Sequence, residues 1–176
     1  MIDAQARLAE LSDLLHVRLD LTDGRGRDYA ELERFHYLAA KPATWAAVRV
    51  VRCIDRAAGR RVAGVGVLSY PTPTCYARER ALGVSFCNRG ERAAFVNQHL
   101  RTISRVVIHP QFRALGLAGL LVRDLIEICP TRWIESFAHM GRAHPLFEKA
   151  GMRRIDPTDP AAPVYYLRDR QEGRDG

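Results

Sequence analysis

Lysine is nearly missing from this sequence. Of 27 basic residues only Lys41 and Lys149 are lysines, so the net charge of +7 rests on arginine. Acid is scarce through the middle, where Glu79 and Glu91 are the only carboxylates between Asp55 and Asp124. The four cysteines (Cys53, Cys75, Cys87, Cys129) lie far apart without a Cys-x-x-Cys pair. That excludes a zinc knuckle and a disulfide framework, gives no metal site, and reads as reduced thiols of a cytoplasmic protein. No apolar run approaches the ~20 residues of a membrane span. The segment Met1 to Leu15 mixes apolar with acidic residues and lacks a signal-peptide core. Secretion and membrane insertion are therefore not expected. There is no Gly-Lys-Ser/Thr, which excludes a Walker A loop, and Gly64-Val65-Gly66 lacks the third glycine of a dinucleotide fingerprint.

What remains is a chain of 176 residues, 47 % hydrophobic and 27 % charged, enough for one globular domain with a buried core. We expect that domain over residues 1–168, with N-terminal helices in 1–40 and a frayed tail at 169–176. Charge is unevenly spread. Residues 35–155 hold 19 basic and seven acidic side chains, whereas both ends are mildly acidic. A positive body suits an anionic ligand, either a phosphorylated cofactor or a nucleic acid; a merely solvated arginine face is the plain alternative.

The spacing of Leu8, Leu11, Leu14 and Leu15 predicts an amphipathic helix from Ala4, with Asp3 as its cap. The stretch Thr22 to Asp28 reads as a turn, after which Asp28 caps a second helix to about Tyr37. Trp45–Ile54 and Arg61–Tyr70 read as a β-hairpin, and Pro71 to Leu82 as a loop held open by Pro71 and Pro73. Glu91–Leu100 is a helix candidate. A strand at Thr102–Ile108, a strongly amphipathic helix at Leu117–Cys129, a strand at Trp133–Phe137, a short helix at Pro145–Ala150 and a last strand at Val164–Leu167 follow. Hairpins followed by strand–helix–strand units predict a mixed, mostly antiparallel α+β sheet flanked by helices.

One segment carries chemistry. Val106, Val107 and Ile108 end a buried strand at Pro110. Gln111, Arg113, Ala114, Leu115 and Gly116 form a loop, and Leu117 and Ala118 open the long helix. The first turn of a helix offers unpaired N–H groups and the positive end of the dipole, and small residues let an anion approach them. Arg113 adds a charge. These are the requirements for holding a pyrophosphate; an ordinary tight strand-to-helix turn is the alternative.

Gln111-Phe112-Arg113-Ala114-Leu115-Gly116-Leu117-Ala118 resembles the acyl-CoA pyrophosphate loop of the GNAT acyltransferases, Gln/Arg-x-x-Gly-x-Gly/Ala. Pro145-Leu146-Phe147-Glu148-Lys149-Ala150-Gly151-Met152 is similar to that family's closing helix and turn, and the likeness covers roughly residues 45–168. It implies acetyl-CoA or another acyl-CoA as co-substrate. It also implies a sheet splayed between its two central strands, with the Thr102–Ile108 strand bonding the pantetheine arm. His36-Tyr37, the Ser69 to Cys75 string and Ser104 to Pro110 resemble a GNAT subgroup found alone or fused to ABC-type ATPases. His36-Tyr37, Arg105 and Trp133 to Ala138 are more weakly similar to the phage Mom proteins, which modify adenine in DNA. The sequence departs from the family where a tyrosine usually protonates the leaving thiolate: Phe147 stands there.

Proton transfer then falls to other groups. His139, just after the Trp133 strand, is one candidate, with loop capping as its plain role. His36 and Tyr37, adjacent at a helix end, are a second. Glu135 is a third: facing the cleft it would be a raised-pKa base, facing away or paired with Arg105 it would be structural. Ser104 and Arg105 alternate along a strand, so only one is expected to line the site. Tyr165 or Tyr166 is a further source of the missing acid. Cys129 reads as packing, and an acyl-enzyme at Cys75 lacks an obvious base.

Three functional readings follow: an acyl-CoA-dependent acyltransferase acting on an amine; the same chemistry on a DNA or RNA base; and a non-catalytic CoA-binding module. The second needs a basic groove with Arg78 and Arg80, and an aromatic such as Tyr37, Tyr70 or Tyr76 to stack on the base. Neither the acceptor nor the oligomeric state is legible in the sequence.

Overall fold

A computed structural model describes residues 4–36 and 41–172. The elements run α1 (Ala4–Leu15), β1 (Arg18–Asp23), α2 (Gly26–Leu32), β2 (Ala47–Asp55), β3 (Gly59–Ser69), α3 (Tyr76–Leu82), α4 (Arg89–His99) and β4 (Leu100–Ile108). There follow α5 (Leu117–Ile128), β5 (Trp133–Ala138), α6 (Leu146–Lys149), β6 (Arg153–Ile155) and β7 (Val164–Asp169). One seven-stranded sheet is ordered β1-β2-β3-β4-β5-β7-β6. Every neighbouring pair is antiparallel except β4–β5, which is parallel. The mixed α+β sheet expected from the order of elements is the sheet observed.

Helices cover both faces. On one, α1 and α5 bury Leu8, Leu11, Leu117, Leu120 and Leu121 against Leu19, Leu21, Val51 and Ala63. Each fully buried leucine contributes roughly 1.5–3 kcal/mol. Glycines of β3 set how closely α5 sits. A Cβ at Gly64 would lie 3.2 Å from Leu121 Cδ1, and one at Gly66 2.8 Å from Leu125 Cδ1. On the other face α2 lays Tyr29 and Leu32 over Val48, Val50, Val65, Val67 and Val107.

Four expectations about elements need correction. Strand β1 lies partly where a turn was read, its Leu19 and Leu21 pointing into the core. Asp28 does not start α2. It sits in the first turn, accepts the Arg25 N–H at 2.7 Å and is buried against Arg52. Residues 76–82 of the supposed Pro71–Leu82 loop are helix α3. The last strand runs past the Leu167 at which it was read to end. Strand β7 reaches Asp169, which accepts from Arg132 at 2.8 Å and from the Trp133 indole at 3.1 Å. The Arg170 guanidinium donates to the Cys129 carbonyl. Asp3, Tyr37 and the segment 173–176 lie outside the described residues.

Candidate active site

Strands β4 and β5 pair over only four positions, from Leu100 opposite Trp133 to Ile103 opposite Ser136. Beyond that point β4 continues to Ile108, still paired with β3 on its other edge. A bulge marks the parting. Val67 faces Arg105 and Leu68 faces Ile103, so Ser104 is an extra residue without an opposite number. Bulges twist a strand and re-aim its side chains. Here the consequence is that Ser104 and Arg105 both line the same cleft, although strict alternation would admit only one. The opposing wall is Ser136, Phe137 and Ala138. Met140, Leu146, Phe147 and His36 complete a hollow of about 220 Å3.

Along β4 the cleft leads from Val106 to Ile108 and into a second hollow of about 500 Å3 at the start of α5, the two sharing Leu146. Its floor is the loop singled out in the sequence. Ala114 and Gly116 both adopt positive φ, 65° and 81°. The first bond into α5 runs from Leu120 N to Gly116 O at 3.2 Å, so the N–H groups of Leu117, Ala118 and Gly119 precede the helical ladder. A Cβ on Gly116 would meet nothing within 4 Å, which leaves the approach to these amides open. Arg113, Arg123, Lys149, His144 and Arg7 surround the opening. A multiply charged anion fits this cradle in both geometry and sign.

Not every expected member of the loop takes part through its side chain. Gln111 turns away, its Oε1 3.4 Å from Arg61 and its N–H on His109 Nδ1. Leu115 packs into the core and the Val107 side chain is buried on the far face, which leaves Val107 its backbone alone to offer. Conversely Arg7, Arg123, His144 and Lys149 were not singled out as anion ligands. Arg123 lies one turn beyond Gly119 and was open to detection by helical spacing. Arg7 arrives from α1 by tertiary packing and left no local signal.

The proton-transfer candidates separate. His36, at the end of the 3-10 turn that follows α2, lines the cleft beside Arg105. Tyr37 falls outside the described residues. His139 is exposed, and the cleft lining passes from Ala138 to Met140 without it. Glu135 is corrected outright. It is 0 % exposed, and both its oxygens are consumed by neighbouring donors. Oε1 accepts from Arg78 Nη2 and Thr102 Oγ1, both at 2.7 Å. Oε2 accepts from Arg78 Nε at 2.8 Å and Tyr165 Oη at 3.0 Å. A carboxylate holding four donors has no lone pair left for a substrate proton.

The tyrosines are likewise committed. Burial beside Glu135 pushes the Tyr165 phenol far up, and Tyr166, buried and bonded to Glu148 at 3.0 Å, is pushed up to about 12. Cys75 caps α3, accepting the Arg78 N–H, and burial raises its thiol, which disfavours the thiolate an acyl-enzyme needs. Tyr70 stacks under Arg101 at 4.3 Å, away from the cleft lining. Arg78, 1 % exposed, is the partner of Glu135 and has no access to a nucleic-acid phosphate.

The Acetyltransferase (GNAT) family model matches residues 59–152, more than half of the chain. The chain belongs to the GNAT acetyltransferase family. No curated protein matches this GNAT chain, but solved structures do. AtaTR bound with acetyl-CoA superposes with a TM-score of 0.51 at 12 % identity, over 88 % of this chain and 94 % of that one. A Corynebacterium glutamicum structure described as histone acetyltransferase HPA2 and related acetyltransferase gives 0.52 at 14 %, over 86 % and 96 %. The aminoglycoside acetyltransferase AAC(6')-Ib, in complex with coenzyme A and kanamycin, gives 0.50 at 19 %, over 90 % and 99 %. At these identities the likeness is one of fold, and it extends to nearly the full length of each relative.

Proposed function

We propose that this GNAT protein is an acyl-CoA-dependent N-acyltransferase that passes an acyl group directly from the thioester to an amine. The observation that carries the reading is the join between two features. The β4–β5 pairing stops at Ile103 and Ser136, and the opened edge of β4 leads straight to the free amides of Leu117 to Gly119. The amides and the surrounding cations hold the diphosphate. The exposed polar backbone of β4 from Ser104 to Ile108 hydrogen-bonds the pantetheine arm, which brings the thioester to the bulge. Solved relatives of the same fold that contain acetyl-CoA or coenzyme A support this placement.

At the bulge the amine nitrogen attacks the thioester carbonyl, a C–N bond forms and the C–S bond breaks. Among the described residues His36 is the one imidazole in the cleft lining, and it takes the proton the amine loses. The departing CoA thiolate is protonated from water, because Phe147 has no proton and both tyrosine hydroxyls are engaged. Most of the acceleration comes from holding amine and thioester together.

Calorimetry with acetyl-CoA tests the reading. The chain is expected to bind acetyl-CoA in the micromolar range, and Gly116→Glu to abolish binding while the protein stays folded. An acetyl-CoA titration without heat, or binding indifferent to Gly116→Glu, refutes it.

A further inference from the structure

The hollow at the bulge reaches both faces of the sheet. Along β5, Ile134 and Ala138 pack with Phe147 and with Val122 and Leu125 of α5. Alternation turns Phe137 to the opposite face, where its ring lies 5.1 Å from that of Tyr165. Phe147 and Phe137 both line the hollow, so one end of it lies beside α5 and the other beyond the sheet. The end beside α5 shares Leu146 with the anion cradle, and on the acyltransferase reading the thioester arrives there. The far end, by Phe137 and Met140, is left for the acceptor. It is apolar and open. Phe137 is 37 % exposed and Met140 61 %, a pair of large apolar side chains held in water at the mouth of a cleft.

The polar groups of the lining are engaged within the protein. Ser136 Oγ donates to the Ile103 carbonyl at 3.0 Å. Ser69 Oγ gives its only proton to the Thr44 carbonyl at 2.6 Å, so across the 2.7 Å contact between Ser69 and Ser104 it is Ser104 that donates. Arg105 Nη1 donates to the Ser104 carbonyl at 2.7 Å, and both Arg105 and His36 have further partners of their own. Glu135 and Glu148, close by in sequence, are held by Arg78 and Tyr166. A strongly polar acceptor would give up its water here for few hydrogen bonds in return, whereas an apolar one gives up none.

We infer that the acceptor is a small primary amine borne on an apolar body, aromatic or branched aliphatic, which packs on Phe137 and Met140 and sets its nitrogen at the thioester. At about 220 Å3 the hollow falls below the usual range of ligand sites, which keeps that body small. The inference rests on the acyltransferase reading and specifies its substrate class. The transfer is the one already given: the C–N bond forms, the C–S bond breaks, and the proton lost by the amine is balanced by the thiol of free CoA.

The test is release of CoA thiol from acetyl-CoA by the full chain, offered matched pairs of amines. Phenethylamine is set against ethanolamine, and 3-methylbutylamine against 3-amino-1-propanol. Kanamycin, spermidine, glucosamine 6-phosphate, a lysine-rich peptide and an adenine-containing oligodeoxynucleotide complete the panel. The apolar member of at least one pair is expected to exceed its hydroxylated counterpart by roughly 10-fold or more in kcat/KM. The pair with the larger ratio tells aromatic from branched aliphatic. Phe137→Ser and Met140→Gln are each expected to lower kcat/KM for that apolar amine about 10-fold, with the hydroxylated amine and acetyl-CoA affinity unchanged. Because the matched pairs use the unaltered protein, the inference stays exposed even if a variant does not fold. Equal values in both pairs, a preference for any of the polar acceptors, or acetyl-CoA binding without transfer to either apolar amine overturns the inference alone. So does a preference for hexanoyl-CoA over acetyl-CoA without discrimination among amines, since the apolar lining would then serve the acyl chain. Failure to bind acetyl-CoA overturns the acyltransferase reading, and the inference with it.

Discussion

Two histidines show how little of a residue's role lies in its type. His36 and His109 are both imidazoles near β4, yet only His36 lines the acceptor hollow. Replacing His36 by Gln removes the base and keeps a polar side chain of similar reach. We expect kcat to fall by about 10²- to 10⁴-fold, with acetyl-CoA affinity unchanged, as measured by steady-state kinetics and calorimetry. His109 instead packs edge-on to Phe35 and Phe112, and its Nδ1 accepts the Gln111 N–H. Burial, with Arg34, Arg61 and Arg113 nearby, holds its pKa below the ordinary histidine value. The unfolded chain therefore binds a proton at this site more readily than the folded one. Stability from this site is complete above the unfolded pKa near ~6.5 and is lost as pH falls below it, down to the depressed folded value. The Tm measured from pH 8 to pH 5 should fall less steeply in His109→Asn than in the parent.

At the scale of elements, α3 depends on a contact that sequence reading could not place. Pro71 and Pro73 argue against helix, and seven residues are too few to be helical alone. Arg78 makes the difference, reaching across to Glu135 and also donating to the Thr72 carbonyl at 2.8 Å. Glu135→Gln would leave the guanidinium charged and uncompensated in a dry site. The expected cost is about 3–5 kcal/mol, a fall in Tm of roughly 10 °C. The double variant Arg78→Met/Glu135→Leu should be milder than either single change. Denaturant unfolding of the three variants measures this, and additivity would deny the coupling. The same dependence on partners explains what the sequence kept hidden. Helix α5 was plain because Leu117, Leu120, Leu121 and Leu125 repeat at helical spacing, and the loop at Gly116 because it must bend and stay small. Strand β1 was not, because its alternation is carried by Leu19 and Leu21 alone, inside a run of charges. The bulge at Ser104 has no signature within β4. It exists only in register with β3, and so the joint presence of Ser104 and Arg105 in one cleft was invisible.

For the whole molecule, the excess of arginine acquires a position. Much of the positive charge is neutralised in ion pairs, among them Arg49 with Asp23 and Asp124, Arg52 with Asp28, and Arg78 with Glu135. The cations around the α5 N-terminus come instead from four separate stretches, with Arg7 on α1, Arg113 in the loop, Arg123 on α5 and Lys149 on α6. Net charge alone would not distinguish a solvated arginine face from a ligand site. Convergence of distant cations on a set of free amides does. Coulomb attraction to a diphosphate at this exposed mouth is screened over a Debye length, about 10 Å at 0.1 M salt and 3 Å at 1 M. Raising NaCl from 0.05 to 0.5 M should therefore weaken acetyl-CoA binding by roughly 10-fold. Arg123→Ala should both weaken binding at low salt and flatten the dependence, since the lost charge no longer contributes to it. Arg60→Ala, which removes a cation from a different hollow beside Arg27 and Arg52, should move the affinity little at any salt. A salt slope unchanged by Arg123→Ala, or moved equally by Arg60→Ala, would mean that the basic body acts through net charge and not through the ring of cations at Gly116.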